Sequence, residues 1–251
     1  MYRESTKQRI VRLFSDLEFE EKRHLYKVRG VSHPSVSRLV EGHCPKFDGN
    51  KIVGGGKSIL HYSAKKASKE EGVLVTEHEL QRRWQLINTT ACDLGHKVHA
   101  FLENFTGLER PTVPQEVAGI KYIKSLEGKY RISFRELQAY SREFGYAGTM
   151  DLPLEVIGEE NKFVVSDYKT NGDLFKAYDY MFAPFEYLES SPYNKYQLQL
   201  SYYQIMLEEA ELEVVGRDLV HLKADETFQV YNTWDYTPEL RDYLRLKQRA
   251  A

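Results

Sequence analysis

With 251 residues, 41% hydrophobic and 29% charged, the chain can build one sizeable core or two small ones, and it has no uncharged apolar run of membrane-spanning length. A formal net charge of −2 excludes a uniformly basic nucleic-acid coat, so any contact with phosphates must use local patches. Two cysteines, Cys44 and Cys92, are too few for a four-thiolate zinc or iron–sulfur site and read as reduced and structural.

The opening MYRESTKQRI lacks an apolar leader stretch, which implies a cytoplasmic protein. Residues 4–23 place Ile10, Val11, Leu13, Phe14 and Leu17 at helical spacing, an amphipathic helix by pattern. A strand-like stretch at 24–28 follows, then a short helix opened by Pro34 and Ser35 and stopped at Gly42. Residues 48–57 (DGNKIVGGGK) read as a mobile loop because glycine dominates them. At Thr76 a capping box with Glu79 opens a long helix carrying Leu80, Trp84, Leu86, Ile87, Ala91 and Leu94, with a bend or restart expected near 88–93. Gly95, His99 and Glu103 recur at four-residue spacing, which puts them on one helical face. A further helix is expected over 115–126, ending at Gly128, and then a strand over 130–140 that contains Glu136.

The most informative stretch is 146–170. The turn Gly158 to Asn161 joins two strand patterns, YAGTMDLPLEV and FVVSDYKT. Strand alternation sends Asp167 and Lys169 to one face and Tyr168 to the other, while Asp151 heads the neighbouring strand. Two carboxylates and an ammonium on one surface suit a hard divalent cation with bound water. Charge follows the same division: residues 1–30 hold eight Lys or Arg against five Asp or Glu, and residues 135–189 hold five against eleven.

Beyond Thr170 one connection carries Phe175, Tyr178, Tyr180, Phe182, Phe185, Tyr187, Tyr193 and Tyr196. It reads equally as a cluster packed on the sheet and as a surface on which unpaired bases stack. A helix over 194–210 brings Gln199 and Tyr203 one turn apart. Strands over 212–223 and 227–233 and a helix capped by Thr237, with Pro238 at its first position, complete the chain.

Taken in order, Gly95 with His99, Glu136, Asp151, Asp167-Tyr168-Lys169, and Gln199 with Tyr203 resemble the motifs of the RecB-like branch of the PD-(D/E)XK nuclease superfamily. The helix opening at Pro34-Ser35-Val36 is similar to the N-terminal side of that branch, which includes the mitochondrial genome maintenance exonucleases. The resemblance covers about residues 95–203 and favours small stand-alone exonucleases, because the iron–sulfur cysteines and helicase motifs of larger relatives are absent. It implies an α/β fold with a restriction-endonuclease-like core, a central mixed β-sheet flanked by helices, over 76–251, and a helical N-terminal elaboration over 1–75. It further implies Mg²⁺ or Mn²⁺ held by His99, Glu136, Asp151, Asp167 and the Tyr168 carbonyl, with Glu143 the competing acid for the position of Glu136. Lys169 would orient water or stabilise growing charge, and Gln199 and Tyr203 would position the site and the strand. The implied partner is DNA with free single-stranded ends, in replication, recombination or repair, touched by Ser35, Tyr178, Tyr180, Phe182 and Phe185, and a protein of such a pathway is a second implied partner. A structure-specific or restriction-type endonuclease and a non-catalytic DNA-binding module are the alternatives.

Overall fold

The computed structural model describes residues 5–250; residues 1–4 and 251, including the first residue of the expected N-terminal helix, lie outside that range. The chain divides into two compact units, one joining the segment through Pro45 to that from Val98 onward, the other comprising Lys46–Lys97. The division does not fall at residue 75: residues 5–45 belong with the C-terminal part of the chain.

In the first unit, Ser5 caps α1 (Thr6–Leu13) by exchanging hydrogen bonds with Gln8. The expected helix stops there. Leu17 and Phe19 alternate with Glu18 and Glu20, a period of two, and the chain becomes β1 (Leu17–Glu20), β2 (Leu25–Val28) and β3 (Val31–His33) of an antiparallel sheet. Phe19 faces Tyr26 across β1 and β2, and their rings stack at 4.5 Å. The N-terminal elaboration is therefore mixed rather than helical. Helix α2 (Val36–Gly42) starts at Ser35 as expected.

The second unit begins with β4 (Ile52–Gly54) and β5 (Lys57–Ser58), a short hairpin where the glycines suggested a loop without regular structure. Gly55 and Gly56, at φ 53° and 72°, supply the left-handed turn. Helix α3 (Ile59–Glu71) follows, unforeseen from the pattern, and α4 (Glu77–Asn104) runs unbroken through 88–93, its last turns from Val98 belonging to the first unit. The Thr76 hydroxyl accepts from the Glu79 N–H at 3.1 Å, as the capping pattern required.

The remainder of the first unit is α5 (Pro114–Ser125), β6 (Tyr130–Ile132), β7 (Leu137–Ser141), β8 (Tyr146–Met150), β9 (Leu152–Val156), β10 (Lys162–Lys169), α6 (Pro192–Glu209), β11 (Glu213–Leu222), β12 (Phe228–Asn232) and α7 (Thr237–Ala250). Five strands form a mixed sheet in the order β12-β11-β10-β9-β6, with β10 and β11 parallel and the other pairs antiparallel. The fold is thus α/β with a mixed sheet flanked by helices. Gly158 and Asn161, both at positive φ, turn β9 into β10. The expected strand over 130–140 is two strands: β6 joins the main sheet, and β7 pairs with β8 in a separate ribbon. Thr237 is the first residue of α7 rather than its cap; the Asp235 carboxylate takes its N–H and its hydroxyl. Among the described residues no helix is long and apolar enough to cross a membrane.

Strand β10 is buried from Phe163 to Tyr168, which is why it reads as a continuous apolar run before the charged residues. Its Ser166 meets Tyr122 of α5 at 2.7 Å, so Ser166 and Tyr168 face α5 while Asp167 and Lys169 face α6. Helix α6 is buried on nearly all sides, from Gln197 to Leu207. Its Tyr203 ring lies over Gly148, where a Cβ would stand 2.8 Å from Tyr203 Cε1 and 3.0 Å from Val36 Cγ2. Replacing Gly148 by Ala is expected to destabilise the fold by about 1–3 kcal/mol through overpacking. Gly172→Ala, whose Cβ would meet nothing within 4 Å, should leave the denaturant midpoint unchanged. Equal midpoints for the two variants would show that Tyr203 can move freely.

Candidate metal centre

Asp151 is the single residue between β8 and β9, where the chain leaves the two-stranded ribbon for the main sheet. The ladder pairs Leu137 with Met150, so one step further it sets Glu136 opposite Asp151, and the Glu136 N–H donates to the Asp151 carbonyl at 3.0 Å. Glu136 adopts φ 52°, a left-handed conformation uncommon for a residue with a Cβ. The end of β10 comes beside them, and the Tyr168 N–H donates to Asp151 Oδ2 at 2.8 Å.

From α4, His99 completes the group. Its Nδ1 lies 3.5 Å from Glu136 Oε1 and 3.4 Å from Asp151 Oδ1, and its Nε2 lies 3.2 Å from the Tyr168 carbonyl oxygen. A carbonyl only accepts, so Nε2 carries the hydrogen and Nδ1 is the nitrogen turned to the carboxylates. One ligand atom from each of His99, Glu136 and Asp151 falls within 4.8 Å of the others. The family resemblance makes the Tyr168 carbonyl a metal ligand; in the structure that oxygen orients His99. Helix α4 is held close by Gly119 of α5, where any Cβ would stand 2.6 Å from Leu102, and by the Arg135 guanidinium, which donates to the Leu102 carbonyl.

Asp167 lies beside this group but is turned to Lys169, whose ammonium ion-pairs with its Oδ2. Both Asp167 oxygens are buried, and apart from the Lys169 ammonium on Oδ2 they receive no donor. The Lys169 ammonium also sits 4.6 Å from the centre of the Tyr196 ring, and the Tyr196 hydroxyl donates to Asn171 Oδ1 at 2.8 Å. Nothing in the sequence sets Tyr196 apart from the other aromatics of its connection. Its distance of 27 residues from Lys169 along the chain hides a contact that only the return of α6 creates.

Electrostatics follow from burial among opposite charges. Burial opposes a charged imidazole at His99, but Asp151 and Glu136 outweigh it and push the pKa up to about 10. Burial acts to raise Asp151 too, yet His99, Lys169 and the Tyr168 N–H together hold it below the usual carboxylate value. At Asp167, burial and the neighbouring Asp151 charge prevail over Lys169 and push the carboxyl up to about 7. Burial disfavours the Lys169 ammonium, but Asp167 and Asp151 raise its pKa above the ordinary lysine value. Lys169 is therefore a cation here and not a base.

No family model and no curated protein matches this chain. The site consequently rests on its own geometry. An imidazole nitrogen and two carboxylates converging within ligand range, next to a buried carboxylate whose Oδ1 has no partner, fit a divalent cation of the Mg²⁺ or Mn²⁺ type.

The remaining expected residues separate into groups. Gln199 Nε2 donates to the Tyr203 hydroxyl at 2.9 Å, and burial together with the Asp167 and Asp151 charges raises the Tyr203 pKa, which places this pair beside the carboxylates. Glu143 points elsewhere, 3.7 Å from Arg241 and 3.5 Å from Arg245, so Glu136 is the acid in the group. The Ser35 hydroxyl is engaged in capping, accepting from the Arg38 N–H at 3.2 Å. Phe185, expected at a DNA surface, is 0% exposed and packs edge-on against His43 and Tyr236. It anchors the aromatic connection, while Tyr178, Tyr180, Phe182 and Tyr187 are exposed, Tyr178 by 80%. Cys44 and Cys92 are both free thiols, Cys44 buried and Cys92 exposed.

Because the raised pKa values mean that protons occupy His99 below about 10 and Asp167 below about 7, a cation must displace them. Its affinity is expected to climb about tenfold per pH unit between those values and more steeply below about 7. Calorimetric Mn²⁺ titrations at several pH values check this, and an affinity independent of pH would remove His99 from the ligand set.

Proposed function

We propose that the protein is a metal-dependent DNA nuclease that hydrolyses phosphodiester bonds at free single-stranded ends, built on a restriction-endonuclease-like core of the RecB-like PD-(D/E)XK kind. The observation that carries the reading is the half-buried cluster of His99, Glu136 and Asp151 alongside the Asp167–Lys169 pair. Order in the chain supports it as well, since the residues brought together are those whose motifs suggested the family.

In this reading His99 Nδ1, Glu136, Asp151 and Asp167 hold one or two Mg²⁺ or Mn²⁺ ions. A bound ion of this type lowers the pKa of its water and neutralises phosphate charge. Tyr168 fixes the arrangement twice, its N–H on Asp151 and its carbonyl on His99 Nε2. Lys169, kept protonated, donates to water or to the phosphate oxygen on which charge grows. The Tyr196 face limits where that ammonium can go. Gln199 and Tyr203, bonded to each other, border the carboxylates and orient the strand.

Asp151→Ala and Asp167→Ala are expected to abolish cleavage of a labelled single strand in Mn²⁺, and Lys169→Ala to lose cleavage while still binding the ion. Measurable turnover by Asp167→Ala would remove the assignment. Circular single-stranded DNA separates end-dependent from internal cleavage: an exonuclease leaves it intact.

The exposed aromatics supply a contact that phosphate attraction cannot, given the acidic surroundings of the site. Stacking contributes roughly 1–3 kcal/mol per base. Tyr178→Ala should therefore weaken single-strand binding by about tenfold, with duplex binding and melting temperature little changed. Phe185→Ala should behave oppositely, destabilising the fold by about 3–5 kcal/mol as a core truncation. Loss of stability at both positions, with affinity untouched, would make the whole connection a packing element.

A further inference from the structure

The second unit, Lys46–Lys97, differs in charge from the rest of the chain. It holds nine Lys or Arg against six Asp or Glu, a net +3, whereas the remaining residues hold 26 against 31, a net −5. Its acids are largely engaged within it. Glu77 lies 2.9 Å from His61, Glu71 and Glu79 lie 2.7 and 2.6 Å from Arg83, Glu70 lies 3.8 Å from Lys66, and Asp48 Oδ1 accepts from the Asn50 N–H. Lys51, Lys57, Lys65 and Lys69 pair with no carboxylate among the described residues.

Two of these lysines flank the hairpin and two lie on the helix to which it is bonded. Hairpin β4–β5 is fastened to the start of α3 by the Ile59 N–H on the Lys51 carbonyl and the Leu60 N–H on the Gly49 carbonyl. Tyr62 of α3 reaches the turn, its hydroxyl 3.4 Å from where a Gly55 Cβ would stand. Lys65 and Lys69 follow Tyr62 at three and seven residues along α3, the same helical face, while Leu60 and Ala64 pack inward with Val75 and Leu80. The hairpin itself projects. Ile52 and Val53 are 62% and 55% exposed, so it carries two aliphatic side chains into solvent.

We propose that this hairpin and the exposed face of α3 form a second DNA-docking surface, in which Lys51, Lys57, Lys65 and Lys69 take phosphates and Ile52 and Val53 lodge against bases. The inference rests on the DNA reading of the catalytic unit. Unpaired cations flanking two exposed aliphatic side chains on a narrow projection fit a polyanion that also offers apolar faces, which nucleic acid does between its bases. An anionic lipid surface offers the same charge, but two aliphatic side chains on a thin hairpin are a small anchor for a bilayer.

The test compares the intact protein with a Lys51→Glu, Lys57→Glu, Lys65→Glu, Lys69→Glu variant and with Ile52→Ser, Val53→Ser. Binding of fluorescein-labelled single-stranded and duplex DNA is followed in Ca²⁺ by anisotropy against salt. The charge variant should bind at least about tenfold more weakly, with a log–log salt slope shallower by about 3 for single strands, as release of about 0.7 counterion per phosphate requires. The aliphatic variant should lose affinity without a change of slope. Hydrolysis of bis(p-nitrophenyl) phosphate reads the metal site separately: failure of the parent there with loss of DNA binding in the variants removes the nuclease reading and keeps the docking surface. Unchanged affinity and slope at equal melting temperature overturns the proposal, as does binding of phosphatidylserine vesicles by a parent that does not bind DNA.

Discussion

Three carboxylates and two cationic side chains meet at the end of β10, with Asp151, Asp167 and Lys169 buried or nearly so and His99 and Glu136 half-buried. A lone ion taken out of water costs several kcal/mol even after relaxation, so the buried Asp167 and Lys169 offset each other's cost. Their mutual arrangement explains the local fold. Tyr168 ties Asp151 and His99 through its backbone, and β10 lies between α5 and α6 so that alternate residues are committed to opposite layers. Negative charge is in excess, and the surplus appears as the raised carboxyl at Asp167 and the raised imidazole at His99. A divalent cation would relieve both, which is the physical argument behind the proposed metal site.

The elements legible in the sequence are those whose signals are local. Gly158 and Asn161 mark the turn between β9 and β10, Ser35 marks the start of α2, and the apolar run ending in Asp167 marks a strand covered on both faces. Local signals mislead where one segment supports two periods. Leu17 fits a helix continued from α1 as well as a strand, and what decides is the pairing of β1 with β2, which sets Phe19 directly opposite Tyr26. Gly54, Gly55 and Gly56 suggest only a loop, because the bonds that order the hairpin come from Lys51 and Gly49 to the next helix.

Among the site residues, what stays hidden is the route by which they meet. The pattern sets Glu136 within a long strand leading to the hairpin, yet it stands outside strand geometry at φ 52°, at the break between β6 and β7. A residue with a Cβ in that region carries strain on the order of 1–3 kcal/mol, which surrounding structure has to over-determine. Here the β7–β8 ladder does so, with the Glu136 N–H bound to the Asp151 carbonyl. Asp151 is the complementary half of the device, the one residue at which the chain passes from that ribbon to the main sheet. No periodicity records such a crossing, because β8 and β9 read as one uninterrupted strand.

Lys169 shows why the charge type matters as much as its sign. An arginine would present a planar fork suited to a bidentate grip on one carboxylate, whereas the compact ammonium can touch Asp167 on one side and the Tyr196 ring on another. Tyr196 is itself fixed through Asn171, whose carbonyl oxygen receives the His221 Nε2–H at 2.6 Å from the neighbouring parallel strand. The ammonium is thus placed by contacts from β10 and α6, and the segment after β10 holds the α6 partner in turn. In the proposed reaction, a cation held from two sides in advance needs little rearrangement to meet charge developing on a phosphate, and such preorganisation is where a charged group contributes most.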